Sequence, residues 1–429
     1  MNLLYANDRQ GEHAPSWYAD TALPHVLSPP LDGDVQTEVA VVGGGYTGLS
    51  AALHLARAGR RVVLVDAHRV GWGASGRNGG QVGSGQRIDQ ETLEGMLGED
   101  RARALWQIGQ DATALVRTLI ARHAIACDLR PGILHADHRQ RHAADTRQHV
   151  AHMNRVYGHP LHYLDAAAMR AHLGTTAYTS GALDPEGAHL HPLNYALGLA
   201  AAARAAGVAI YENTPVTARE GRVLVTPKGR ITADHVVLAC NGYMGDLDGS
   251  VSRHVMPINN YIVATEPLGE ERARSLIRDD VAVADSKFVV NYFRLSADHR
   301  LLFGGGESYS YRFPRDVAAK ARGPMLQIFP QLADVAITHA WGGTLGITMS
   351  RLPYLRRLEE GVLSASGYSG HGVALATLSG ALMAEAITGD SPRFETMARL
   401  AHRPFPGPRR WRTPLLALAM SWYALRDRF

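Results

Sequence analysis

The chain has 429 residues, 46% of them hydrophobic, more apolar material than one core usually organises, so more than one domain is expected. With 44 basic against 40 acidic residues the net charge is +4, too small an excess to imply nucleic acid. The 44 glycines, 21 prolines and 20% charged residues fit neither a collagen-like nor a low-complexity chain.

Residues 1–35 form a polar extension containing Pro15, Pro24, Pro29 and Pro30. No basic segment followed by an apolar run opens it, so no secretion signal is read and a cytoplasmic location is expected. From Glu38 the sequence EVAVVGGGYTGLSAALHLARAGRRVVLVDAHRVG reads as strand, glycine turn, helix and second strand. Val39 to Val42 is the short apolar run of a buried parallel strand, Ala51, Leu55 and Ala58 follow helical spacing, and Val62 to Val65 is the returning strand.

Gly43, Gly45 and Gly48 occupy the G-x-G-x-x-G positions directly after a strand. There, missing side chains permit a tight turn, the approach of a pyrophosphate and close helix packing. Tyr46 and Thr47 then place backbone N–H groups at the positive end of a helix, a physical anion site. Asp66, followed by Ala67, ends the second strand where a carboxylate accepts hydrogen bonds from an adenosine ribose and opposes a 2′-phosphate, which disfavours NADP.

After Gly71 comes GWGASGRNGGQVGSGQ, a glycine-dense loop long enough to suggest that it wraps a ligand. Residues 91–125 read as helix, and 136–159, rich in His and Arg, as solvated helix surface without metal-ligand spacing; no metal site is expected. DPEG at 184–187 reads as a turn before an alanine-rich helix ending near Gly207, followed by strands at 208–210 and 231–238 with a hairpin around Pro227 and Gly229. Between 254 and 303, short β-rich runs predict an antiparallel sheet in a second domain, and from Gly361 strand, glycine turn and alanine-rich helix return. The predicted fold is mixed α/β, a discontinuous Rossmann-like domain with an inserted antiparallel-sheet domain. Near the end, 414–425 is apolar but, at about 12 residues, shorter than the ~20 that span a bilayer, so a docked helix is expected and membrane contact is not.

VVGGGYTGLSAALHLA, GWGASGRNGGQ, VVLACNGY, MPINNYIVATEPL, NYFRLSADHRLLFGG, WGGTLGITMSRLPYLRR, GYSGHG and FPGPRRWRTPLLALAM together resemble the glycine/D-amino-acid oxidase (DAO) superfamily of FAD-dependent oxidoreductases. Within it the chain is most similar to the bacterial gamma-glutamylputrescine oxidoreductase branch and to amine or L-pipecolate oxidases. The resemblance implies an FAD-binding domain from 36–90, 150–245 and 340–400, a substrate domain from 91–149 and 246–339, and a tail at 401–429. It places Gly73, Ala74, Ser75, Arg77, Asn78, Gly79, Gly80 and Gln81 around pyrophosphate and flavin, Val216 at adenine, and Gly242 beside the diphosphate. Gly342, Gly370, His371, Gly372 and Val373 would approach the flavin, where helix N–H groups face the charge of its reduced form.

Covalent attachment through cysteine occurs in sarcosine-oxidase relatives at a late segment; Cys127 and Cys240 are elsewhere, so non-covalent FAD is expected, in a reducing compartment with one long-range bridge formally open. Hydride transfer from the carbon beside a neutral amine requires no side-chain nucleophile, and Trp341, Tyr368 and His371 are expected nearest the reacting atoms. His371 also fits a helix-capping or packed histidine. Tyr261, Asn291, Tyr292 and Arg294, with Trp341 and Tyr368, are expected to contact substrate. In WGGTLG, Leu345 stands where amino-acid oxidases of the superfamily carry a carboxylate-binding arginine, favouring a polyamine or distal-carboxylate substrate, with Arg351 or Arg294 as substitutes. Gamma-glutamylputrescine is the expected substrate and oxygen the expected acceptor, yielding hydrogen peroxide. A cyclic or secondary amino acid such as L-pipecolate is the alternative substrate, and a non-catalytic flavin protein a third reading.

Overall fold

The computed structural model describes residues 2–308 and 310–407. Strand Val35–Val42 pairs in parallel with Val62–Val65 on one side and Gly229–Leu238 on the other, so both its faces must be covered. Side chains alternate accordingly: Val39 and Val41 join one apolar cluster, Ala40 and Val42 another. That two-sided burial explains the uninterrupted VAVV. The sheet runs, in spatial order, Tyr354–Glu359, Val362–Ser366, Gly229–Leu238, Val35–Val42, Val62–Val65 and Ala209–Tyr211, with a short meander, Ala218–Glu220 and Val223–Thr226, added beside Gly229–Leu238. The predicted hairpin at Pro227 and Gly229 is there, Thr226 facing Gly229 across antiparallel strands.

Helices Tyr46–Arg57, Glu99–Arg122, Pro192–Ala205 and Gly372–Thr388 bury their apolar residues in one cluster over this sheet. Gly380 makes the tightest join between them: a Cβ there would lie 2.3 Å from the Thr47 carbonyl oxygen, so two helix backbones touch directly. In Glu99–Arg122 the stripe Ala102, Leu105, Ile108, Ala112, Val116 and Leu119 is buried, the three- and four-residue spacing of one helix face.

A second sheet runs Ile337–Ile347, Met256–Thr265, Leu301–Ser308, Tyr292–Leu295, Ala282–Asp285, Arg130–Asp137, Ser180–His189 and Gln81–Val82, with His162–Leu164 pairing Ser180–His189. It is antiparallel except where Ala282–Asp285 meets Arg130–Asp137. Mixed α/β architecture with a Rossmann-like core and an inserted sheet domain is therefore the fold.

The chain passes between the two sheets more often than the expected segments allow. Ser180–His189 and Ile337–Ile347 run in the second sheet, although 150–245 and the segment from 340 were expected in the first domain, while Glu99–Arg122, expected with the second, packs over the first. An apolar stripe shows that a helix has a buried face but not which sheet covers it. DPEG is no connection between elements; it is absorbed into strand Ser180–His189 where the register against Arg130–Asp137 shifts between Pro131 and Ile133, with Asp184 accepting from the Glu186 and Gly187 N–H groups. The helix expected at 414–425, and any membrane contact there, lie outside the described residues.

Candidate active site

The first glycine turn is built as its motif demands. At Gly48 a Cβ would fall 1.9 Å from the Gly43 carbonyl oxygen, so helix and strand meet backbone to backbone, and Gly43 itself holds φ +110°, a region that favours glycine. Gly45 caps helix Tyr46–Arg57 and brings no side chain of its own to the positive end of the helix. Ser75 reaches back from the glycine-rich loop, its Oγ accepting from Tyr46 N at 3.0 Å. A Cβ on Gly45 would sit 2.9 Å from that oxygen and fill the cradle.

Asp66 lies at the rim of this turn with Ala67 half-buried beside it. Its carboxylate accepts from Gly44 N at 2.7 Å and His68 N at 2.8 Å. Desolvation dominates those bonds and, with Glu212 adding negative charge, pushes the Asp66 carboxyl up to about 6. Val216 packs half-buried against the adjoining apolar cluster.

The loop from 71 is pinned residue by residue. Asn78 donates to the Ala74 and Ser75 carbonyls and to Tyr46 Oη, and accepts from Gly80 N. Gln81 Nε2 donates to the Val283 carbonyl at 2.9 Å, and Gly73 lies against the ring of Tyr243. Arg77, 4% exposed, is engaged by protein: its guanidinium pairs with Asp8 at 2.5 Å, donates to the Trp72 and Gly342 carbonyls, and lies over the Trp72 ring.

The predicted aromatics separate into braces and walls. Trp341 Nε1 donates to the Arg77 carbonyl at 3.0 Å and its ring meets Tyr18 edge-on, while the Tyr368 hydroxyl bonds Thr47 Oγ1 at 2.7 Å; both are buried inside the scaffold. Tyr292 lies against Gly79 and Gly304, where a Cβ would strike its ring, and its hydroxyl donates to Asn260 Oδ1. Tyr261 is buried and edge-on to Phe313, whose ring also covers Gly342.

Two residues expected at a polar substrate tail are occupied within the protein. Asn291 donates through N and Nδ2 to Asp285. Arg294 donates to the Gly79 and Leu295 carbonyls and Tyr18 Oη, tying the second sheet to the glycine loop.

At the second glycine turn, Gly370 adopts φ +88° with no atom near its Cβ position, and His371 caps helix Gly372–Thr388 without a side-chain bond, so its side chain does not occupy the first N–H groups, those of Gly372 and Val373 included. The His371 ring lies against Gly83, and its Nε2 has no hydrogen-bond partner. Burial, reinforced by Arg87 and His135, pushes this imidazole down to about 4, so it is neutral near pH 7. Nearby, Asn241 Oδ1 accepts from Gly367 N at 2.9 Å, while Gly242 approaches the Leu345 carbonyl. Among the described residues no cluster of metal-ligating side chains occurs, and no single helix is long and apolar enough to cross a membrane.

Sequence reasoning missed the contribution of the N-terminal extension. Asn7 bonds the backbone of Tyr311 and Phe313, Asp8 pairs Arg77, the His68 ring receives Gly11 N and stacks on Trp72, and Tyr18 is fully buried. The adjacent aromatics Trp17 and Tyr18 were the available signal. Glu212, which receives Ser28 N and Val70 N, carried none.

Two helix N-termini led by glycine turns, a half-buried acid beside the first and a glycine loop joining them define a dinucleotide-binding oxidoreductase, and the side-chain-free turns at Gly45 and Gly370 fit a flavin dinucleotide. The model for the DAO family, FAD dependent oxidoreductase, matches residues 38–386. The chain belongs to this family and is an FAD-dependent enzyme. It is 44% identical over 419 residues to "Probable oxidoreductase OrdL" of Rhizobium meliloti, covering 96% of this chain and 97% of the relative. It is 41% identical over 421 residues to "Gamma-glutamylputrescine oxidoreductase" of Escherichia coli, covering 97% and 99%. Among solved structures, glycine oxidase from Geobacillus kaustophilus superposes with a TM-score of 0.68 at 25% identity, over 82% of this chain and 95% of that one.

Proposed function

We propose that this oxidoreductase oxidises the terminal amine of gamma-glutamylputrescine or a closely similar carboxylated polyamine derivative, with non-covalent FAD and with oxygen as final acceptor. The observation that carries this reading is the end-to-end likeness to the Escherichia coli gamma-glutamylputrescine oxidoreductase. Leu345 supports it, because an apolar residue there leaves an α-amino acid without its usual anchor beside the reacting carbon. Both cysteines are free, and burial pushes each thiol up to about 12, which opposes a thiolate tether.

FAD, when bound, supplies a two-electron acceptor for the hydride on the carbon beside the amine nitrogen. Overall, R–CH2–NH2, oxygen and water become R–CHO, ammonia and hydrogen peroxide. The Gly43–Gly48 turn and Asp66 would hold the pyrophosphate and ribose, and the N–H groups at Gly372 and Val373 the flavin's polar edge. Neutral His371 adds no positive charge beside a substrate that must react as the free amine. Tyr292 and Phe313, over Gly304 and Gly342, offer walls that exclude water and orient the aliphatic chain.

The test is anaerobic bleaching of the purified yellow protein by gamma-glutamylputrescine, putrescine, sarcosine, glycine, L-pipecolate and D-alanine. Gamma-glutamylputrescine is expected to bleach fastest; faster reduction by D-alanine or L-pipecolate would overturn the reading. Acid precipitation is expected to release all of the FAD.

A further inference from the structure

Ser369 immediately precedes Gly370 in the second glycine turn and is 4% exposed. It holds φ +54°, a conformation that glycine adopts freely and a side chain disfavours. Gly367 and Gly370 on either side of it also have positive φ, so the serine keeps a side chain where the backbone favours none. Its hydroxyl accounts for that. Ser369 Oγ accepts from Thr348 N at 3.2 Å and donates to the Gly367 carbonyl at 3.1 Å, while Ser369 N donates to the Gly346 carbonyl at 3.0 Å.

Gly346 and Thr348 flank the last residue of strand Ile337–Ile347, which belongs to the second sheet and carries Gly342 and Leu345. Ser369 therefore bonds a turn of the first sheet's domain to the end of a strand of the second. The approach is close: a Cβ on Gly367 would lie 2.6 Å from Thr348 Cγ2, and one on Gly346 would lie 2.3 Å from Asn241 Oδ1, which accepts from Gly367 N at 2.9 Å. Tyr368 ties the same turn to the first glycine turn through its hydroxyl and Thr47 Oγ1, and its carbonyl accepts from His371 N at 3.0 Å. Ser364 offers the contrast. Also buried, on strand Val362–Ser366, it donates to the Leu238 carbonyl at 3.0 Å and stays within the first sheet.

We propose that Ser369 is a positioning residue: by hanging the second glycine turn on the strand Ile337–Ile347, it holds the N–H groups of Gly372 and Val373 at the flavin's polar edge and so favours the reduced cofactor. The inference deepens the functional reading above and rests on one part of it, the placement of that edge at these N–H groups, whichever amine is oxidised. The first N–H groups of a helix are the ones its own backbone leaves free. Reduced flavin carries negative charge there, and donors aimed at developing charge act in proportion to how firmly they are held. A turn released from the strand loses part of that effect.

The test is the midpoint potential of FAD bound to the holoenzyme, read against a reference dye during slow anaerobic reduction, which requires no substrate. Ser369→Gly removes the hydroxyl and accepts the positive φ, so the variant is expected to fold and keep its flavin. Its potential is expected to fall by about 30 mV, a tenfold bias against the reduced form for a two-electron couple. Ser369→Ala loses the same bonds and should shift the potential the same way. Ser364→Ala loses a buried serine bond that does not reach the second sheet and is expected to keep the wild-type potential. Gly372→Pro removes one N–H at a helix position that tolerates proline and is expected to lower the potential at least as far as Ser369→Gly. A wild-type potential in both Ser369 variants beside a lowered one in Gly372→Pro would overturn the role of Ser369 and leave the placement standing. Wild-type potentials in all three would overturn placement and positioning together. An equal fall in Ser364→Ala would also overturn the positioning role, since any buried serine would then serve.

Discussion

Arg77 and Arg87 stand ten positions apart in one glycine-rich loop and are put to opposite uses. The first half of the loop closes on the protein, with Arg77 paired to Asp8, donating to two carbonyls and laid over Trp72. The second half is pinned just as firmly through Ser84 and Gln86, yet Arg87 beside them is exposed and makes no hydrogen bond or ion pair among the described residues. A buried charge bonded to partners far along the chain ties the loop to the scaffold; an exposed one is solvated and ties little.

Breaking the scaffold half should cost the most. Arg77→Leu strands the Asp8 carboxylate and removes donors from the Trp72 and Gly342 carbonyls, and loss of one partner of a buried pair costs about 3–5 kcal/mol. Chemical denaturation should show that loss, together with protein purified largely free of flavin. Arg87→Gln should leave the denaturation midpoint within about 0.5 kcal/mol of wild type. Equal destabilisation by the two variants would abolish the contrast between the two halves of the loop.

Gly48→Ala comes next. Its Cβ would enter the space of the Gly43 carbonyl oxygen, and overpacking of this kind costs about 1–3 kcal/mol. Because the join also sets the turn that receives the pyrophosphate, FAD affinity should fall more than stability, as read by fluorescence titration of the apoprotein. Gly95, in an exposed helix with nothing near its Cβ position, should accept alanine without loss.

The chemistry at the turns was legible because backbone geometry dictates it. G-x-G-x-x-G after an apolar strand admits few alternatives, and the glycines at 43, 48 and 370 stand where the structure needs missing side chains or positive φ. The alternating sheet assignments were not legible, since the stripe on Glu99–Arg122 and the strand Ser180–His189 show burial without showing the partner. Polar roles were the hardest to assign. Asn291 and Arg294 have the composition of substrate ligands, but the nearby Asp285 and the sequence-distant Gly79 and Tyr18 already bond them. Arg87 follows the ligand-wrapping loop in GSGQRID, and that it is exposed while Arg77 is buried is a property only of the folded chain.

The smallest expected effect concerns Asp66, where the turn next to the loop meets the ribose. Its carboxyl, raised to about 6 from an ordinary 3.8 chiefly by desolvation, is protonated in the apoprotein below that pH. Ribose hydroxyls donate to the ionised form, so FAD affinity should be level above about pH 7 and weaken as pH falls through 6, by at most about tenfold per unit. The sign for the apoprotein is opposite: a folded pKa above the unfolded value favours the folded state below 3.8, and that contribution is lost as pH rises through 6. Asp66→Asn should flatten the pH dependence of FAD binding at a uniformly weaker Kd. In the Arg87→Gln variant the FAD pH profile should match wild type, because Arg87 is not among the groups that act on the Asp66 carboxyl. A shifted profile in that variant would join the two halves of the loop into one electrostatic unit.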